Sequence, residues 1–504
     1  MRKPMSDLYH IPEPKLTFGF GQKLQDPRDG LMLFGPFTRN KLKGQINIGI
    51  IGPEPQRGYL REYLKKIHRP VSSTSPDKAR PSFPGLEATF DIFINFDNLP
   101  EIDVKNSEIE RCLRFTDGYQ RVHNLTSLYT TPLEKYGNEE EMPVMVWFVV
   151  IPDSIYKYGR PKSTIPKAVD NINVGLKKKN RNSAQSFLFE EMNKMKEAYN
   201  FEINFHHQLK AKLLSAKVVT QIIKESTIAY DQIWADEKNI LSAKKFDTAK
   251  AWNIATTLYY KTGGIPWKLG DIRKQVCYLG LVYKKTDARE SNTNACCAAQ
   301  MFLDNGDGMV FRGNLGPWYN PTTKEFHLRK NDASELLYQS LKAFKGKSGY
   351  FPEQIFIHAR TNFNDDEWEG FTGAAAGKTT VVGVKIRSDG TFKVYRDYTY
   401  CVPRGAVLQI TDQQGYLWSR GFIPRLQTQM GLEVPNPLSI EITRGDMDFR
   451  TVCQDVLSLT KLNYNACIFG DGLPVTLRFA DNIGEVLTAG KNIKAEVLTF
   501  KHYI

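Results

Sequence analysis

Tyr260-Lys-Thr-Gly-Gly-Ile-Pro-Trp-Lys-Leu269 is the stretch around which the rest of the sequence can be ordered. It closes a helical run, Ala251-Trp-Asn-Ile-Ala-Thr-Thr-Leu-Tyr-Tyr260. Gly263 and Gly264 can adopt the positive φ that ends a helix, and Pro266 cannot continue one. Lys261 therefore falls in the last helical turn, beside a chain reversal. A cation there complements the negative end of the helix dipole. On spacing alone, the stretch is a helix C-cap followed by a new segment.

Upstream, Phe205 to Lys224 carries apolar residues at three-to-four spacing, which predicts a helix. His206 and Lys210 are four apart and share one face of it. Gln221 comes later on the same run. Pro143-Val-Met-Val-Trp-Phe-Val-Val-Ile-Pro152 is a continuous apolar run between prolines, the pattern of a strand buried on both faces. Leu31 to Phe34, Ile46 to Ile51 and Ala88 to Ile94 are expected strands, and Tyr59 to Ile67 a short helix. Strands alternating with helices imply a Rossmann-like open sheet. The basic segment Lys157 to Ser186 is expected to be a surface loop, either solvated or lying along a phosphate backbone.

Downstream, Gln275 to Tyr283, Ala295 to Phe302 and Met309 to Arg312 predict antiparallel strands joined by Gly-rich turns. Asp332 to Phe344 is an expected helix with Asn331 as N-cap. Gln354 to His358 and Thr380 to Ile386 predict buried strands. Phe449 to Leu459 predicts a helix, and Leu473 to Ala480 is expected to precede the last one. Three strands, a helix, further strands and closing helices fit an RNase H-like fold.

Composition sets the bounds. The chain has 504 residues and a formal net charge of +13, which suits a polyanionic partner. Its seven cysteines include no Cys-x-x-Cys pair, so a zinc ribbon is not expected. Scattered apolar cysteines and the lack of an apolar leader imply a reducing compartment, the cytoplasm. Gly373-Ala-Ala-Ala-Gly-Lys-Thr379 imitates a P-loop. It is one residue short and leads into a strand, so no helix N-terminus lies under a phosphate.

A lysine-Gly-Gly-x-Pro-Trp turn resembles the junction between the MID and PIWI domains of Argonaute proteins. The resemblance extends along most of the chain. It is most specific in Cys277-Tyr-Leu-Gly-Leu-Val-Tyr-Lys-Lys285, Asn294-Ala-Cys-Cys-Ala-Ala-Gln-Met-Phe302, Val434-Pro-Asn-Pro-Leu438 and Leu457-Ser-Leu-Thr-Lys-Leu-Asn-Tyr-Asn-Ala-Cys467. These look like the short prokaryotic Argonautes of SPARTA defence systems, which lack N and PAZ domains. The implied fold class is α/β: an N-terminal α/β segment over 1–120, a Rossmann-like MID domain over 121–268 and an RNase H-like PIWI domain over 269–504.

The same resemblance implies chemistry. His206, Lys210, Gln221 and Lys261 match a pocket for the 5′-phosphate of a guide RNA. The C-terminal carboxylate of Ile504 is expected to hold a Mg²⁺ ion there, provided the tail tucks inward; a frayed tail is the alternative. The expected target is complementary single-stranded DNA. The expected partner is a TIR–APAZ protein in a heterodimer that assembles further on target binding. That partner's hydrolysis of NAD would protect neighbouring cells from plasmids or phage.

The nuclease residues are expected to be broken. Four carboxylates should hold two metal ions. Val282 stands where the first belongs, and Ala359-Arg-Thr-Asn362 supplies no third. Asp481 alone matches. No catalytic residue is therefore expected. The alternatives are an active guided nuclease using Asp304, Asp307 or Asp365 with Asp481, or pairing with a sirtuin-like or nuclease effector.

Overall fold

The computed structural model describes residues 7–38, 44–139, 143–181, 190–271, 273–285, 295–302, 308–312, 318–320, 322–323, 325–397, 399–490 and 498–504. Two sheets organise them. The first is fully parallel, in the order Glu101–Asp103, Ile48–Gly52, Val146–Ile151, Thr220–Lys224. Val146–Ile151 is buried at every position, as its uninterrupted apolar run requires. Val146, Phe148 and Val150 face one core, while Trp147, Val149 and Ile151 face another. Helices Glu54–His68 and Gly118–Glu139 supply Leu60 and Leu64 to the first core, and Val122, Leu125 and Tyr129 to the second.

Among the described residues the second sheet has nine strands. Its centre is Val276–Lys285, flanked by antiparallel Ala295–Phe302 on one side and parallel Gln354–Ala359 on the other. Gly308–Arg312 and Thr380–Ser388 extend it outward. This is the strand, strand, strand, helix, strand order expected for an RNase H-like fold, with Lys330–Ser348 as the helix. The helix Val475–Thr488 packs on the central strand so closely that a Cβ at Gly280 would lie 1.9 Å from Thr476 O.

The boundary expected at residue 120 runs through the first sheet, since Ile48–Gly52 pairs directly with Val146–Ile151. Asp7–His10 pairs instead with Ala406–Thr411, at the edge of the second sheet. The N-terminal segment therefore bridges both halves. The turn after Lys261 does the same. Trp267 is fully buried, its Nε1 donates to Lys461 O at 3.1 Å, and Tyr464 Oη donates to Trp267 O at 2.6 Å.

Several expected elements differ. Leu31 to Phe34 is the end of a helix, Pro27–Phe34, started by Pro27 and by the Asp26 carboxylate accepting from Arg28 N at 2.9 Å. Ala88 to Ile94 splits into a helix, Leu86–Phe90, and a strand, Ile92–Ile94, across Asp91 at φ +58. The expected 205–224 helix stops at Leu213. Lys217, at φ +54, turns the chain, and Thr220–Lys224, rich in β-branched residues, forms the fourth parallel strand. Gln221 therefore lies on a strand, not on the helix of His206 and Lys210. Asn331 lies inside its helix, whose N-cap is Arg329. Residues 475–480 belong to the Val475–Thr488 helix rather than preceding it.

His358 lies in the middle of the second sheet and is wholly buried. Its Nδ1 pairs with Thr476 Oγ1 at 2.9 Å, while Nε2 has no partner among the described residues. Burial pushes its pKa down to about 3. Between pH 6.5 and 4 the unfolded chain binds a proton that the folded chain refuses, so acid destabilises the fold. Between pH 7 and pH 5, urea unfolding should show the His358→Gln variant losing about 2 kcal/mol less stability than the unaltered chain.

Candidate functional site

The site forms where the two helices, the fourth parallel strand and the end of the chain converge. Asn204 caps the helix Phe205–Leu213 by accepting from His206 N and His207 N. That start sets the phase of the helix and carries Lys210 into the interior, only 2% exposed. Lys261 ends the helix Asp247–Lys261 and is 1% exposed. Gly263, at φ +103, supplies the reversal. Gly264 is needed for a different reason, because a Cβ there would sit 2.3 Å from the Tyr259 ring.

Both ammonium groups reach the same acceptors. Lys261 Nζ donates to Thr220 O at 2.8 Å, Gln221 Oε1 at 2.7 Å and Ile504 O at 2.6 Å. Lys210 Nζ donates to Ile504 O at 2.5 Å and Thr220 O at 3.3 Å. Ile504 is 5% exposed, and Phe500 seats the end of the chain against Phe479 at a centroid distance of 4.0 Å. The tail is thus tucked in rather than frayed.

Two buried cations this close repel each other and lack solvation. Burial draws the Lys210 pKa down to about 7, and burial followed by Lys210 draws that of Lys261 well below its ordinary value. His206 lies open to solvent one helical turn from Lys210. Even so, enclosure by the protein, then Lys210, His207, Lys261 and Arg160, hold its imidazole well below its usual range. Of the four expected residues, Lys210, Gln221 and Lys261 are brought together, and His206 stands beside them without a hydrogen bond to them.

Sequence reasoning missed three contributors. Thr220 acts through its main-chain oxygen, which leaves no mark on residue type. His502 has a buried Nδ1 with no partner among the described residues, and burial, then Lys501, Lys210, Lys261 and Lys217, push its pKa to about 4. Arg160, from the basic loop, places its charge near enough to His206 to disfavour imidazole protonation. The closing Lys501-His-Tyr-Ile504 was the available signal for His502.

The second expected site lies on the other sheet. Val282 is 5% exposed and apolar on the central strand. Asp481, on the helix Val475–Thr488, accepts from Arg360 Nη2. Lys284 Nζ stands 3.2 Å from the other oxygen of Asp481 and 3.3 Å from Glu485 Oε1. Asp365 is exposed and pairs with Arg444 at 2.5 Å. Asp304 and Asp307 lie outside the described residues. Among the described residues no three His, Cys, Asp or Glu side chains form a metal-binding group. Gly373 to Thr379 spans a helix end and leads into the strand Thr380–Ser388, so the P-loop resemblance has no helix N-terminus beneath it.

An excess of positive charge at the first site predicts an unusual stability response. Lys210→Met should stabilise the ligand-free protein by about 1–2 kcal/mol in urea unfolding, because it removes a poorly solvated charge. A loss of similar size would identify the ammonium as a structural support.

No protein-family model matches the chain. A curated Argonaute of Aquifex aeolicus (strain VF5) is 22% identical over 246 residues, which cover 47% of this chain and 31% of that protein. The structure of Clostridium butyricum Argonaute bound to a guide DNA and a 19-mer target DNA is similar, with a TM-score of 0.63 at 15% identity. That match covers 96% of this chain and 54% of the other. Aquifex aeolicus Argonaute matches with a TM-score of 0.56 at 14% identity, covering 99% and 57%. The chain spans little more than half the length of these solved structures and, in sequence, under a third of the curated relative. The α/β fold is thus shared with Argonaute proteins. No helix among the described residues is long and apolar enough to cross a membrane.

Proposed function

We propose that this chain is a short Argonaute-like sensor that holds the 5′-phosphate of a guide RNA and recognises complementary single-stranded DNA. The observation that carries the reading is the convergence of Lys210 and Lys261 on one oxygen in a buried site. A phosphomonoester is nearly doubly charged at neutral pH. Placed there, it would relieve the repulsion between two ammonium groups and restore their ordinary affinity for protons. Gln221 would orient it, and His206 and His502 would add donors at its edge. The similar Clostridium butyricum Argonaute, bound to a guide DNA and a target DNA, adds support.

Ile504 supplies a hard oxygen at the same point. Such an oxygen would be the residue-supplied ligand for a Mg²⁺ ion at this point. Mg²⁺ would neutralise charge there. This chain's own residues would bind and orient the strand end.

In this reading the chain does not cut. Arg360 and Lys284 neutralise the one tetrad-like carboxylate, and Val282 offers no metal ligand. An effector partner would supply any catalysis; a TIR–APAZ protein hydrolysing NAD in cytoplasmic defence against plasmids or phage is the proposed one. Assembly into larger oligomers would follow target recognition.

Two measurements test the proposal. Lys210→Ala or Lys261→Ala should weaken binding of a 5′-phosphorylated guide by about 2–5 kcal/mol. Equal affinity of the unaltered chain for 5′-phosphate and 5′-hydroxyl guides would refute the pocket. A guide-matched DNA incubated with Mg²⁺ or Mn²⁺ should remain intact, and a product that disappears in Asp481→Ala would establish an active nuclease instead.

A further inference from the structure

The cations around Asp481 are arranged for more than neutralising it. The parallel strands Val276–Lys285, Gln354–Ala359 and Thr380–Ser388 end at one edge, with Leu281, Ala359 and Lys385 in register. In open α/β sheets, ligands lie beyond the carboxyl ends of parallel strands. Lys284 stands on the first strand, Arg360 directly after the second and Arg387 near the end of the third. Arg387 Nε donates to Arg360 O, tying the two arginines together. Asp481, with its side chain 16% exposed, holds Arg360 on one oxygen and Lys284 near the other. The Arg360 side chain is still 45% exposed, and among the described hydrogen bonds its guanidinium uses only Nη2. Four of its five donors are thus unassigned, on a group fixed by a partly buried carboxylate.

We propose that Arg360 and Lys284, oriented by Asp481 and backed by Arg387, bind one backbone phosphodiester of the DNA strand paired with the guide. The inference rests on the nucleic-acid reading above. A phosphodiester presents two free oxygens and one negative charge, which suit the fork of a guanidinium and the point charge of an ammonium. Binding makes and breaks no covalent bond. Asp481 is a positioning residue in this arrangement. The placement is also consistent with a strand anchored at the lysine pocket. The helix carrying Asp481 meets the helix carrying Lys210 through Glu485 and His207, 3.4 Å apart.

The test uses the full chain loaded with a 5′-phosphorylated RNA guide. DNA targets carry a neutral methylphosphonate at one position at a time. In the unaltered chain, one position should weaken target binding about tenfold, or roughly 1.4 kcal/mol. The Arg360→Gln/Lys284→Met double variant should bind the unmodified target that much more weakly and lose sensitivity at that position alone. Its logarithmic salt slope should fall by about one. Asp481→Asn should blunt the sensitivity at the same position, which a merely structural residue would not do selectively. Preference for a 5′-phosphate on the guide should persist in every variant. Unchanged target affinity and an unchanged methylphosphonate profile in the double variant would overturn the phosphodiester site alone. Failure of the unaltered chain to bind a complementary strand would overturn the nucleic-acid reading, and this site with it.

Discussion

Two ammonium groups sharing one buried oxygen are the constraint on which the rest of the arrangement depends. Lys210 and Lys261 come from different helices, and their acceptors come from a strand and from the end of the chain. Such a cluster is poorly solvated and is retained only if the surrounding elements are held in place. The Asn204 cap, the Gly263 reversal, the parallel strand carrying Thr220 and the seating of Phe500 on Phe479 each fix one participant. The two sheets are joined at the same place, since Trp267 follows the reversal and is hydrogen-bonded to the 461–464 segment.

The two charged centres differ in how their charge is balanced. Around Ile504, cations converge with few opposing groups, and their proton affinity falls. Around Asp481, ammonium and guanidinium meet carboxylates nearly one for one. The first centre carries more positive than negative charge. The second is nearly balanced as it stands, with part of the Arg360 side chain left exposed. Burial explains the contrast. Lys210 and Lys261 are almost wholly enclosed, whereas the Arg360 side chain is 45% exposed and its charge is moderated by water.

Much of this was legible in residue order because local and long-range preferences agreed. An uninterrupted apolar run bounded by prolines gave a strand buried on both faces, and Gly-Gly-x-Pro gave a helix end. Legibility failed where the two preferences diverged. Phe205 to Lys224 keeps helical spacing throughout, yet its β-branched half completes a parallel sheet, a gain that no local window displays. Leu31 to Phe34 has strand composition, but the Asp26 cap and Pro27 lie upstream of it and decide the outcome. Where Lys210, Gln221 and Lys261 converge, the side chains were readable and the main-chain acceptors were not. Thr220 contributes an oxygen that every residue possesses, so only the fold distinguishes it.

The helix Val475–Thr488 connects these observations physically. It cannot approach the central strand unless residue 280 is glycine, because Thr476 O occupies the space a Cβ would need. Held at that distance, it places Asp481 beside Arg360 and Lys284, and Glu485 between Lys284 and His207. Just beyond its end, Ala489 O accepts from Glu202 N at 2.9 Å, near the start of the helix that carries Lys210. Close packing transmits displacement because it leaves little volume in which to absorb it. The Glu202–Ala489 and His207–Glu485 contacts join the start of the Lys210 helix to this one. The lysine cluster and the Asp481 centre are therefore joined through one helix.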